Sequence, residues 1–156
     1  MSLELNSIIM NKSTLNQSII RHFSVKNTAK ISGLSVHMVN YLRRHGIVCP
    51  SVSNAGKRGV ALKYSYTDIL LLKVIASLLL QGISPLKLRK ILASLQKRGH
   101  KTDELVSKKY VATDGHNIFF IGDNFLELLD SGQMAFAFVL ELNSIRSEIE
   151  SRILAA

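Results

Sequence analysis

Cysteine occurs once, at Cys49, which rules out an internal disulfide and an all-thiolate metal cluster. A thiolate metal sensor needs two or three coordinating sulfurs and is excluded with them. Cys49 reads as a small packing residue. Long apolar runs are also missing: Ile69 to Leu80 is broken by Lys73 and falls well short of the roughly 20 residues that span a membrane. It reads as a buried helix, and no membrane partner is expected. The opening residues show no basic start, apolar centre and small-residue cleavage site, so a cytoplasmic location is expected.

Chemistry-bearing clusters are equally scarce. The five histidines, His22, His37, His45, His100 and His116, lie apart, with no i, i+4 pair and no cysteine partner, so no metal site is expected. No glycine-rich loop is suited to phosphate, and no Ser or Cys stands beside an activating base. Asp123, Glu127 and Asp130 share helical spacing and read as a solvated acidic face. The catalytic and cofactor sets are therefore both empty, and the chain reads as a non-enzyme.

Acid is nearly absent from one half of the chain. Residues 21–98 hold fourteen Lys and Arg against one acid, Asp68, a net of +13, while residues 99–156 carry −4 and residues 1–20 balance at zero. Only the front half is suited to a polyanion such as double-stranded DNA. At 156 residues and 47% hydrophobic content the chain can bury one core, or one domain with an appendage.

The basic segment also carries a local pattern. A short helix over Lys26 to Ser32 is followed by Gly33-Leu34-Ser35 and a second helix from Val36 to His45. Gly33 stands where a helix end tolerates positive φ, and Ser35 where the next helix needs a side-chain acceptor. Ala29 is small enough to let the two helices cross closely. That is a helix-turn-helix. With Val39 and Leu42 inward, His37, Asn40, Tyr41 and Arg44 form the opposite stripe, the expected recognition face. Asn pairs bidentately with adenine and Arg with guanine, while Tyr and His reach phosphate.

Past Pro50, the stretch 51–63 has Gly56 and Gly59 bracketing Lys57 and Arg58. It reads as a hairpin with a basic tip, a wing over 54–63 that would grip backbone phosphate. Thr67 is the expected N-cap of a helix from Asp68 to Gln81, with Asp68 favourable at its positive end. Gly82 closes it. Ser84-Pro85 opens another helix, with Leu86, Leu88, Ile91, Leu92 and Leu95 facing mostly inward.

In order and spacing, Phe23-Ser24-Val25, Ala29, Gly33-Leu34-Ser35, Asn40-Tyr41-Leu42-Arg43-Arg44, Gly46-Ile47-Val48, Pro50, Tyr64-Ser65, Asp68-Ile69 and Gly82-Ile83-Ser84 resemble the MerR family of winged-helix transcription regulators. The resemblance covers about seventy residues. It implies a homodimer that binds a palindromic operator through the second helix and the wing, often distorting a long promoter spacer. The expected DNA contacts are Lys26, His37, Asn40, Tyr41, Arg43, Arg44, Lys57, Arg58, Lys63 and Tyr64. Asn40 stands where the family usually has Arg and Arg43 where an acid is common, so operator preference does not carry over. Gly99-His100 interrupts the position where many members continue into a long dimerising helix.

The tail reads differently. Lys109 to Ala112, a turn at Asp114-Gly115, and Ile118 to Ile121 predict a β-hairpin. Asp123 or Asn124 caps a short helix through Leu129; Met134 to Leu142 alternates like a strand but also fits a helix continuing to Ile153, with the strand favoured; and Asn143 or Ser144 caps a last helix with Ile145, Ile149 and Ile153 on one stripe. The Asp-Gly hairpin with Gly132-Gln133 resembles the tails of some MerR-like regulators and certain antitoxins. The expected architecture is mainly α (α+β): an N-terminal arm (1–21), a winged helix-turn-helix domain (22–98), and a small α+β hairpin and helix region (99–156). Dimerisation is expected in that last region through Phe136, Phe138, Leu142, Ile145 and Ile149. A protein partner, toxin or RNA polymerase, stays open, as do the antitoxin and DNA-bending accessory-factor alternatives to a stand-alone regulator.

Overall fold

The computed structural model describes residues 22–51, 61–122 and 136–155. The arm 1–21, the basic tip with Lys57 and Arg58, and the helix expected near Asp123 to Leu129 lie outside the described residues.

Strand β1 (Phe23–Ser24) pairs antiparallel with β2 (Lys63–Tyr64), Phe23 opposite Tyr64 and Ser24 opposite Lys63. Ser24 ends the strand and caps α1 (Val25–Ser32), its Oγ accepting from the Asn27 N–H at 3.2 Å. Gly33 closes α1 at φ +82°, with its N–H donated to the Ala29 carbonyl at 3.0 Å, a left-handed conformation that a side chain would strain. Ser35 then caps α2 (Val36–Arg44) by accepting from the Met38 N–H at 3.0 Å. Val39 and Leu42 are fully buried beneath it.

Helix α3 (Tyr66–Leu80) begins earlier than expected, and its cap is Ser65 rather than Thr67. Ser65 Oγ accepts from the Asp68 N–H at 3.2 Å while the Asp68 carboxylate accepts from the Ser65 N–H at 2.9 Å. Only the Ser-x-x-Asp spacing satisfies two orphan donors at once, so it sets the start. α3 is buried on nearly every side, as an all-round apolar helix must be. α4 (Pro85–Lys97) has the expected Ser84 cap, but Leu86 points outward at 49% exposure. Cys49, expected to pack, is exposed.

The sequence pattern gave no sign of α5 (Thr102–Val106). Beyond it, β3 (Tyr110–Thr113), β4 (Ile118–Ile121) and β5 (Phe138–Glu141) form an antiparallel sheet in the order β4-β3-β5. The alternation expected after Met134 is therefore a strand over β5. Helix α6 (Leu142–Ala155) follows with no spacer and without the expected Asn143 or Ser144 cap. Instead the Leu142 N–H donates to the Lys109 carbonyl at 2.9 Å, so the sheet's own hydrogen bonding leads into the helix.

The sheet and α6 do not form a separate body. Val106, Val111, Ile118, Leu142, Ile145, Ile149 and Ile153 lie in one continuous apolar core with Phe23, Val39, Leu42, Ile69 and Ile75. α6 lies against both α1 and α3. Leu142, Ile145 and Ile149, expected at a dimer contact, are instead buried inside the chain. The correction has a simple cause: α3 is apolar all round, and its side away from α1 needs a cover that the front segment does not supply. Polar links hold the docking register. Glu148 Oε1 lies 3.1 Å from Lys73 Nζ and 2.7 Å from Arg152, whose Nη1 donates to the Ile31 carbonyl at 2.9 Å.

Candidate nucleic-acid interface

α2 presents a clean outward face. His37 and Arg44 are exposed and Asn40 and Tyr41 half-buried, opposite the buried Val39 and Leu42. The expected stripe is thus brought together on one helix side. Its far end is braced: the Tyr41 and His45 rings lie 4.5 Å apart at 60°, and an Arg89 Nη1 from α4 lies 3.1 Å from His45 Nδ1. Gln96 of α4 donates to the Ile47 carbonyl at 2.9 Å. α4 therefore fixes both the end of α2 and the turn that follows it, which gives the stripe a fixed orientation.

Val36 belongs to this face and was not anticipated. It stands at the first position of α2, 45% exposed. The available signal was its place directly after the cap Ser35, where a first-turn side chain has no preceding helical turn to pack on. Lys26 and Lys63 are both exposed, and β1–β2 pairing places Lys63 opposite Ser24, two residues before Lys26.

Tyr64 leaves the set of expected contacts. It is fully buried, and its hydroxyl finds no hydrogen-bond partner among the described residues. Burial pushes its phenol pKa up, against the opposing pull of the Arg43 guanidinium. Its ring belongs to the core because β2 alternates, Lys63 outward and Tyr64 inward. Arg43 is only half-exposed, with its Nε buried and unpartnered among the described residues.

Asp68 does more than favour a helix terminus. The single acid of residues 21–98 is 5% exposed, so it places no negative charge on this surface. Its Oδ2 accepts from Ser51 N at 3.0 Å, Ser51 Oγ at 2.8 Å and Ser65 N at 2.9 Å. Ser51 Oγ also meets Ser65 Oγ at 2.9 Å. One carboxylate thereby ties the chain before residue 52 to the chain after β2 and to the start of α3. Residues 52–60, with Lys57 and Arg58, leave from this junction and lie outside the described residues.

Among the described residues no group of three or more His, Cys, Asp or Glu is placed to hold a metal, and no helix is long and apolar enough to cross a membrane. Residues 23–95 match the family model of MerR HTH family regulatory proteins. An HTH-type transcriptional regulator of Mycobacterium bovis is 29% identical over 112 residues, which cover 70% of this chain and 48% of that protein. HTH-type transcriptional regulators from two Mycobacterium tuberculosis strains match with the same figures, 29% over 112 residues. The chain thus spans about half the length of these curated relatives. Two capped helices around the left-handed Gly33 and a braced, outward-facing α2 fall within residues 23–95, the same stretch that matches the family model of MerR HTH family regulatory proteins.

Proposed function

We propose that this chain is a sequence-specific, DNA-binding transcription regulator acting in the cytoplasm, with no catalytic step and no cofactor. The observation that carries the reading is the outward stripe of α2, braced by α4, inside a segment whose one acid is buried. α2 enters the major groove. Asn40 and Arg44 reach base edges, Val36 meets a thymine methyl, and His37 and Tyr41 contact the backbone. Lys26 and Lys63 neutralise phosphates beside the groove. Residues 54–63 act as the basic wing, with Lys57 and Arg58 at its tip and Asp68 holding its roots.

A single module of this kind reads only a short half-site, so tight and selective binding calls for a two-fold dimer on a palindromic operator. With Leu142, Ile145 and Ile149 committed to the core, the dimer contact is assigned to the tail's remaining apolar surface. Phe138 is half-exposed on β5 and Val139 is 37% exposed. Selection of bound sequences from random DNA, read beside genome-wide mapping of bound sites, tests the proposal. Inverted half-sites at a fixed spacing near promoters are expected. Recovery of isolated half-sites would remove the two-fold arrangement, and no sequence enrichment at all would remove the function.

A further inference from the structure

A cleft of about 850 Å³ separates α4 from the outer edge of β4 and is closed at one end by α5. Nothing in DNA recognition by α2 uses it. Its size falls in the range of small-molecule sites, roughly 300 to 1,000 Å³. We propose that this cleft binds an amphipathic small-molecule anion, a carboxylate carried on an apolar or aromatic body. The assignment does not depend on the DNA-binding reading.

The chemistry follows from two stripes on α4. Ile91 and Leu95 are half-buried and line the cleft with Phe120 of β4, all three packed against the core, while Phe119, the next residue of the strand, lines it from the strand edge. Ile91, Leu95 and Phe120 supply a floor for an apolar body. Lys90, Ser94 and Arg98 recur every four residues along the same side, a spacing that puts two cations about 12 Å apart along one edge. Lys108 adds a third cation from the α5 end. The carboxylate in the lining, Glu104, lies 3.3 Å from His100 Nδ1 and is engaged there. Among the described residues the apolar trough is edged by three cations and one partnered acid, an arrangement that attracts an anion with a greasy body and disfavours a cation of the same shape.

The walls are held in place. Lys87 Nζ donates to the Gly115 carbonyl at 2.9 Å and lies 3.0 Å from His116 Nδ1, which ties the start of α4 to the β3–β4 turn. Phe119 is steadied by an edge-on contact with Phe136, with centroids 5.7 Å apart. Little ordering is therefore left for the ligand to impose.

Calorimetric titration of the full chain with decanoate, and in parallel with decylammonium, tests this without DNA. Decanoate is expected to bind at one saturable site and decylammonium not to bind there. Lys90 and Arg98 are exposed, so the double variant Lys90→Glu, Arg98→Glu keeps the fold, checked by circular dichroism, and is expected to raise the Kd for decanoate about tenfold or more. Ser94→Trp, which fills the cleft from an exposed position, is expected to abolish binding. The control Lys26→Glu, Lys30→Glu changes the same charge on α1, away from the cleft, and should leave the Kd within about twofold. Equal affinity for the two probes, no saturable decanoate binding, or an unchanged Kd in the Lys90/Arg98 variant would each overturn the assignment.

Discussion

The front segment, residues 22–98, and the tail, residues 99–155, carry opposite charge yet bury their apolar side chains in one core. Charge sign suggests two bodies because it reports which surface a polyanion approaches. Burial follows a different requirement. α3 is apolar all round, and α1 covers one side of it while α5 and α6 lie against others. The tail is therefore structural support for the helix-turn-helix as well as surface of its own, and Arg152 on the Ile31 carbonyl carries that support to the end of α1.

The largest expected effect tests whether the two regions are one folding unit. Ile149→Ala removes a fully buried side chain of α6 and should cost about 2 to 5 kcal/mol, with urea unfolding still one transition by circular dichroism and by tyrosine fluorescence. A chain ending after Arg98 loses α6 entirely and is expected not to unfold cooperatively. If that fragment kept a cooperative transition and operator affinity, the regions would be separate domains and the comparison would fail.

Asp68→Ala should cost on the order of 2 to 3 kcal/mol, because it leaves the Ser51 and Ser65 amides without their charged acceptor and removes half of a capping box. It should also weaken DNA binding beyond what stability explains, measured well below the melting temperature, by loosening the junction from which residues 52–60 depart. A loss confined to stability would detach the carboxylate from the proposed wing.

Asn40→Ala and Arg44→Ala are each expected to lose about 1 to 3 kcal/mol on the selected operator and to relax base preference. Lys57→Ala with Arg58→Ala should instead weaken all sequences alike and lower the salt slope by about two. Equal losses of Asn40 and Arg44 on random DNA would make them backbone contacts. An unchanged salt slope would take the tip out of the interface.

The smallest effect reads the seam between the regions. Tyr66 of α3 meets Glu150 of α6, its hydroxyl 3.4 Å from Oε1, and burial followed by the Glu150 charge raises its pKa from 10.0 to about 12. A pKa raised in the folded state means that the native protein holds the proton longer. The contribution is thus fully present below pH 10 and lost as pH rises toward about 12. Tyr66→Phe should flatten that alkaline decline in stability, as followed by urea midpoints across the window. An identical decline in the variant would place the titrating group elsewhere.

Local chemistry written in adjacent residues was legible from the sequence. Gly33 and Ser35 punctuate the helix-turn-helix, Val39 and Leu42 set which side of α2 faces out, Ser84-Pro85 starts α4, and the Asp114-Gly115 turn places the hairpin. Each depends on a spacing of four residues or fewer, within which backbone hydrogen bonds and side-chain direction are fixed by helix or strand geometry. The tertiary structure alone decided where the apolar stripe of Ile145, Ile149 and Ile153 would go, since periodicity reports that a face needs covering but not by what. It likewise decided that Tyr64 packs inward, that Asp68 gathers Ser51 and Ser65 across the intervening chain, and that Lys90 and Arg98 line one cleft with residues of β4. These contacts join residues far apart in sequence, and only the shared core, by choosing one packing of α3 against its neighbours, brings them together.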